Sequence, residues 1–342
     1  MKHIMITNHD AQMFRAAEHA LQEYYSISPL PKDIDLQDYL RHNPVDLFLL
    51  TVTAAHTDSF HMYDNIMRIP EMIGKPVIFF AEQVSPELEQ QALSIGAHDF
   101  ISMSVSPELL LHRICTCLEL MELRKQKPYV EKYQDAISFS FAELVEFRDV
   151  TTGGHLKNTQ RYFEILLKQA MASDLYKDII PLEDTRDLLR SVTLHDIGKI
   201  GINDEVLRKS SALDFKEFEY MKTHTILGKQ AFDKIIKETG GNRWLYLARD
   251  MAYSHHERWD GTGYPDGLSG QDIPLFARML TIADVYDALT SARTYKEAYS
   301  HQKAMEIILE GKGSFFDPDL VDLFINANEQ FEEALNKKQE RE

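Results

Sequence analysis

Short apolar runs open the chain. His3-Ile4-Met5-Ile6-Thr7, Val45-Asp46-Leu47-Phe48-Leu49-Leu50 and Lys75-Pro76-Val77-Ile78-Phe79-Phe80 have the length and continuity of strands buried on both faces. His98-Asp99-Phe100-Ile101 repeats the pattern more weakly. Between and after them, apolar residues recur at helical spacing, as in Ala11 to Tyr24 and Pro107 to Leu120. Strands alternating with helices predict a doubly wound α/β domain with a parallel sheet over residues 1–120. The pattern then changes. Residues 121–145 read as a helical linker, with Ile137, Phe141, Leu144 and Val145 near helical spacing and Pro128 kinking or interrupting it. Over 146–342 helical periodicity dominates: Leu156 to Met171, Asp184 to Leu194, Asp214 to Ile236, Leu245 to His256, Leu275 to Leu289 and His301 to Glu310. Only Gly261 to Ile273 is rich in turn formers. The fold class is therefore multidomain, an α/β sheet domain followed by an all-α bundle whose buried sites come from side chains on facing helices.

A length of 342 residues agrees with two domains. Hydrophobic content of 44% and charged content of 27% are ordinary for a globular protein. The net charge of −17 argues against a general binder of nucleic acid or anionic membrane, so a phosphate substrate has to be held by local cations or metals. The opening MKHIMITNHD is too short an apolar run for a signal peptide, and no later stretch is long enough to span a membrane. Cys115 and Cys117, two apart on a helical pattern, face different ways and make neither a disulfide nor a thiolate zinc site. The expected compartment is the cytoplasm.

The chemistry centres on Ser191-Val192-Thr193-Leu194-His195-Asp196-Ile197-Gly198-Lys199-Ile200, which reads as an apolar helix delivering a His-Asp pair and ending near a Gly and a Lys. Other candidate ligands are His155, His224, the pair His255-His256, and Asp284 within Leu280 to Tyr286. An acid in so apolar a run is costly unless paired, hydrogen-bonded or metal-bound. Singly, each histidine is more often a core or surface residue. Together, five histidines and two aspartates on separate helices suit two metals sharing a carboxylate, with Asp196 as the natural bridge. A nitrogen and oxygen set without thiolate favours iron, manganese, nickel or zinc.

Two family resemblances follow. Residues 1–120 resemble the receiver domain of bacterial response regulators, most closely in Pro44 to Leu50, Lys75 to Phe80 and Gly96-Ala97-His98-Asp99-Phe100-Ile101. The resemblance stops at the chemistry. The phosphoacceptor Asp position of receivers is Thr51, the Ser/Thr after the fourth strand is Ala81, the Lys after the fifth is Met103 followed by Ser104, and the acidic pair is reduced to Asn8-His9-Asp10. Phosphoryl transfer needs a carboxylate nucleophile with a metal and Lys to neutralise charge. The expectation is a pseudo-receiver without a phosphoacceptor, serving dimerisation or partner binding, or acting only as an inert folding unit.

Residues from about 140 to 325 resemble the HD-GYP family of cyclic dinucleotide phosphodiesterases. The matching stretches are Glu146-Phe147-Arg148-Asp149, Gly154-His155, His195 to Ile200, Lys222-Thr223-His224, His255-His256-Glu257-Arg258-Trp259-Asp260-Gly261-Thr262-Gly263-Tyr264-Pro265, Ala283 to Ser291, Arg293-Thr294-Tyr295-Lys296 and Phe316-Asp317-Pro318. The resemblance implies hydrolysis of cyclic di-GMP to linear pGpG, and onward to GMP, at two divalent metals, iron or manganese first, with nickel and zinc compatible. It implies His155, His195, Asp196, His224, His255, His256 and Asp284 as metal ligands. Asp196 and Lys199 are then catalytic, and Lys199, Tyr264, Arg293 and Lys296 contact substrate. Gly263-Tyr264-Pro265 shapes the site mouth and, in some members, contacts diguanylate cyclase (GGDEF) partners; as plain structure it is a turn. A homodimer is compatible with the linker.

Departures sharpen the expectation. The subgroup's Arg-Asp-Pro-Glu-Thr-Gly is Arg148-Asp149-Val150-Thr151-Thr152-Gly153 here, and a hydroxyl at Thr151 is a poor substitute for the carboxylate that supports a third metal, so two metals are expected. The usual Lys-Pro-Gly-Lys-Leu is Lys209-Ser210-Ser211-Ala212-Leu213, which removes a cation and weakens substrate contact or alters selectivity. Two alternatives stay open: a 3′,3′-cyclic GMP-AMP phosphodiesterase, and a low-activity cyclic-dinucleotide sensor or scaffold that binds cyclases. A generic HD phosphohydrolase is disfavoured by His255-His256 and the Gly-Tyr-Pro segment.

Overall fold

The computed structural model describes residues 1–7, 10–31, 34–53, 59–82, 84–149, 154–292 and 297–339. The chain divides into two compact units, Met1–Lys132 and Tyr133–Glu342. Among the described residues no helix is long and apolar enough to cross a membrane.

The first unit runs β1 (His3–Ile6), α1 (Ala11–Leu21), β2 (Ser26–Pro29), α2 (Leu36–His42), β3 (Leu47–Val52), α3 (Ser59–Met67), β4 (Val77–Ala81), α4 (Pro86–Ser94), β5 (Asp99–Ser102) and the start of α5 (Pro107–Arg148). The strands form one parallel sheet in the order β2-β1-β3-β4-β5. That order, 2-1-3-4-5, is the doubly wound, flavodoxin-like arrangement. Every residue of β3 is buried, because its alternate side chains serve two cores. Leu47 and Leu49 join Ile4, Ile78, Met13 of α1 and Ile114 of α5; Phe48 and Leu50 join Phe79, Phe100, Tyr63 and Ile66. The apolar pattern did not predict β2. Ser26-Ile27-Ser28-Pro29 is a half-exposed edge strand, so it carries no continuous apolar run, and Pro is tolerated there.

Of the two expectations at Pro128, an interruption is not what is found: Pro128 lies inside α5 without ending it. Residues 122–130 are all exposed, so the carbonyl that loses its N–H partner can be met by water.

The second unit continues with α6 (His155–Ala172), α7 (Thr185–Val192), α8 (Asp204–Leu207), α9 (Phe215–Thr239), α10 (Arg243–Ser254), α11 (Leu275–Thr290), α12 (His301–Glu310), α13 (Pro318–Asn326) and α14 (Asn328–Gln339). Its core packs Tyr162, Phe163 and Leu166 of α6 against Met279, Ile282 and Tyr286 of α11, closed by Phe324 and Phe331. The rings of Tyr162 and Tyr286 meet edge to face at 4.7 Å. This core fixes α6 and α11 side by side. α9 starts at a capping box between Asp214 and Glu217 and stops at Gly240, whose φ of 79° suits glycine.

Candidate metal centre

The His195-Asp196 pair does not sit on a helix as the sequence pattern suggested. α7 ends at Val192, and the pair lies in the turn before a 3₁₀ segment, Ile197–Gly201. Nδ1 of His195 is 2.8 Å from the Val192 carbonyl, the oxygen that an α-helical Asp196 N–H would have used. The backbone is tighter here, with Ile197 N–H bonding Leu194 O and Lys199 N–H bonding Asp196 O. Gly198 lets this turn lie directly on α9, since a Cβ there would stand 1.9 Å from the His224 carbonyl oxygen.

The turn brings together the residues the sequence scattered. His155 opens α6, His224 lies on α9, His255 and His256 follow α10, and Asp284 lies on α11. They fall into two groups, Asp196 with His224, His255 and His256, and His155 with His195 and Asp284. Asp196 joins the groups. Its Oδ2 is 3.4 Å from His195 Nε2, while its Oδ1 is 3.4 Å from His224 Nε2 and 3.7 Å from His255 Nε2. Asp284 Oδ1 is 3.5 Å from His155 Nε2 and 4.0 Å from His195 Nε2. Such separations suit ligand atoms on a common cation with bonds of about 2.1 Å.

Buried polar atoms test that fit. Among the described residues, the Nε2 atoms of His195, His224 and His255 and the Oδ1 of Asp196 have no hydrogen-bond partner. Buried polar atoms normally have one. In four of the five histidines Nδ1 is tied back: that of His195 to Val192 O, of His224 to Met221 O at 2.7 Å, of His255 to Met251 O at 3.0 Å, and of His155 to Asp287 Oδ2 at 2.8 Å. This bond fixes the tautomer with Nε2 free, as a metal-bound histidine requires. Burial lowers His224 to about 4 and holds His256 well below its usual value, so both are neutral at neutral pH. Burial opposes charge on His155, but Asp287, Asp284 and Asp196 outweigh it and push the group up to about 9.

Lys199 places its ammonium 2.8 Å from both Asp196 Oδ2 and Asp149 Oδ2. Tyr264 is half-buried and stacks on His256 at 4.7 Å. Arg293 and Lys296, together with Thr151, lie outside the described residues. Lys209 is bonded to Glu217 of the α9 cap.

Four supporting residues were not among the predicted site residues. Asp287, one turn after Asp284, is 1% exposed and bonds His155 and Lys338. Asp149 shares Lys199 with Asp196. Arg148 bonds the carbonyls of Ile200 and Ile202 and the carboxylate of Asp204, clamping the turn beyond His195-Asp196. Glu257, 2% exposed, accepts the N–H groups of Asp266 and Leu268 and so pins the loop carrying Gly263-Tyr264-Pro265. The spacing of Asp284 and Asp287 could have signalled the first; Asp149 depends on where folding puts the Lys199 ammonium, and Arg148 and Glu257 on which backbone groups folding leaves open.

In the first unit, Thr51 is 1% exposed. Its Oγ1 lies 2.8 Å from Thr7 Oγ1, and its N–H donates to Thr7 Oγ1 over 2.7 Å. Ala81 of β4 is fully buried and brings no hydroxyl.

A helical unit with a divided His/Asp centre defines an HD-type metal-dependent phosphohydrolase. The HD domain family matches residues 155–320. A probable cyclic di-GMP phosphodiesterase of Vibrio cholerae is 36% identical over 98% of this chain and 79% of its own length. The cyclic di-GMP phosphodiesterase response regulator RpfG of Xanthomonas campestris is 31% identical over 89% of this chain and 81% of its own. Among solved structures, a response regulator from Thermotoga maritima is 19% identical, covering 35% of this chain and 98% of that one, with a TM-score of 0.31. The chain belongs to the HD-GYP family of cyclic di-GMP phosphodiesterases, and its first unit is a five-stranded parallel sheet domain. HD domains bind divalent metal, and the His/Asp groups here have the donors for it.

Proposed function

We propose that this chain hydrolyses cyclic di-GMP to linear pGpG in second-messenger signalling, using two divalent ions, iron or manganese first. The observation that carries this reading is Asp196, whose two oxygens face separate histidine groups. When bound, the ions supply Lewis-acid stabilisation of phosphoryl oxygens and activation of water. His155, His195 and Asp284 would hold one ion, and His224, His255 and His256 the other, with Asp196 between them. The Nδ1 bonds keep the rings of His155, His195, His224 and His255 aimed inward before substrate arrives. Lys199 uses two of its three protons on Asp149 and Asp196, leaving the third for a phosphate oxygen. Tyr264 forms a wall against His256, and Arg293 and Lys296 supply further phosphate contacts.

The Gly263-Tyr264-Pro265 loop is our proposed contact for a diguanylate cyclase, and the cytoplasm is the proposed compartment. Two copies would pair along α5, where Val130, Tyr133, Ile137, Phe141, Leu144 and Phe147 are exposed at helical spacing. We assign residues 1–120 as the pseudo-receiver, 121–145 as linker and 146–342 as the phosphohydrolase.

The test is metal analysis with turnover of cyclic di-GMP and cyclic GMP-AMP by protein purified without air or chelator. The expected result is about two ions per chain and linear pGpG. His155→Ala should lower the metal content by about one ion per chain, and Asp196→Ala by both. Fully loaded protein that cleaves neither nucleotide would overturn the reading.

A further inference from the structure

The ring of Tyr264 does not end the site. It stacks on His256 at 4.7 Å with 29° between planes, and meets the edge of Phe218 at 6.4 Å. Phe218 lies one turn before Lys222 on α9, the helix that also carries His224. The Lys222 ammonium stands 5.0 Å from the Phe218 centroid and 5.4 Å from that of Tyr264, and is anchored to Glu219 at 2.6 Å. An aromatic path therefore leads from a candidate metal ligand, through Tyr264, to a ring that is 46% exposed. Among the described residues, no hydrophobic core includes Phe218.

Resting on the function proposed above, we propose that Phe218 is the stacking platform for one purine of the substrate, with Lys222 fixing the ring pair and adding positive potential beside it. A ribose separates each base from the phosphates of a cyclic dinucleotide. A base-binding surface must therefore lie beyond the metal ligands rather than among them. Phe218 lies two ring contacts out from His256, which meets that requirement. Aromatic faces accept any base, so this contact supplies affinity for purine dinucleotides without choosing guanine over adenine. Lys222 held over both rings limits their rotation, so little ordering is left for the ligand to cause.

Phe218→Leu keeps apolar bulk against Tyr264 and removes the π face; Phe218→Trp keeps the face. The metal-loaded full chain is assayed on cyclic di-GMP and on bis(p-nitrophenyl) phosphate, a diester without a purine. In Phe218→Leu, the ratio of kcat/KM on the nucleotide to that on the small diester should fall about tenfold, through KM. Phe218→Trp should restore it. An unchanged ratio in Phe218→Leu would show a packing role only and overturn the proposal. So would equal losses on both substrates, or weakened capture of a diguanylate cyclase with KM intact. Calorimetric titration with cyclic di-GMP separates this proposal from the function reading. Wild-type protein that binds but does not cleave the nucleotide defeats the function reading, and about tenfold weaker binding by Phe218→Leu would still support stacking. Wild-type protein that does neither overturns both.

Discussion

Nδ1 of His155 donates to Asp287 Oδ2 over 2.8 Å, joining the first residue of α6 to the buried side of α11. Asp287 is in turn held by Lys338, 3.2 Å away, and by Ser291. A ligand on one helix is thus aimed by a carboxylate on another, and that carboxylate is anchored from α14. Removing the aim should cost more than removing surface charge. Asp287→Ala is expected to lose about 10- to 100-fold in metal affinity or activity, with Asp287→Asn losing less because an amide oxygen still accepts from Nδ1. Metal content after graded chelator treatment reads this directly; wild-type retention in Asp287→Ala would remove Asp287 from the centre's support.

Gly198 should be intolerant of any side chain. Its absent Cβ would meet backbone, the His224 carbonyl carbon and oxygen and the Gly228 nitrogen, which cannot swing aside. Gly198→Ala is expected to destabilise the second unit by about 1–3 kcal/mol through overpacking and to abolish metal retention by separating His195-Asp196 from α9. Gly240→Ala is the control: open space surrounds that position, and only its φ of 79° opposes a side chain, at about 1–2 kcal/mol. Thermal unfolding with metal analysis distinguishes them, since the control keeps its metal.

Asp135 on α5 gives a pH prediction. Burial works to raise its pKa, but hydrogen bonds from Arg186 and Arg190 outweigh this and hold it below the usual carboxylate value. A folded pKa below the unfolded one adds stability that is full above the unfolded value. That stability is lost as pH falls through the folded value. The loss therefore belongs below about pH 4. Asp135 is partly exposed, so the wild-type contribution is modest. Asp135→Asn should lower Tm at pH 7 and show a smaller further drop than wild type between pH 5 and 3. Parallel Tm curves for the two proteins would contradict the assignment.

Thr51 should not accept phosphate. Its hydroxyl is buried and engaged with Thr7, and no carboxylate stands there to form an acyl phosphate. Incubation with acetyl phosphate and magnesium is expected to leave the mass of the chain and its turnover unchanged. A phosphoryl adduct mapped to Thr51 by peptide mass spectrometry would refute this.

How much of this was legible beforehand follows from physical range. β3 and β4 announced themselves because a strand buried on both faces must be apolar at successive positions; β2, with one turn-like Ser-Ile-Ser-Pro segment on an edge, carried no such constraint. The same local limit hid the end of α7. Ser191 to Leu194 has helical composition, yet α7 ends at Val192 and the chain passes through a turn into the 3₁₀ segment at Ile197.

The sequence by itself determined the alternation that makes a parallel sheet, the helical second unit, and the inventory of histidines and aspartates. Those depend on residue type and spacing, which are local. Tertiary structure alone decided which ligands fall into which of the two groups that Asp196 faces, that Asp287 and Asp149 support His155 and Lys199, and that Phe218 continues the wall begun by Tyr264. Those relations join residues tens to more than a hundred positions apart. They exist only once α6, α9 and α11 are packed, because the direction of a side chain is set by its helix's neighbours and not by its own segment.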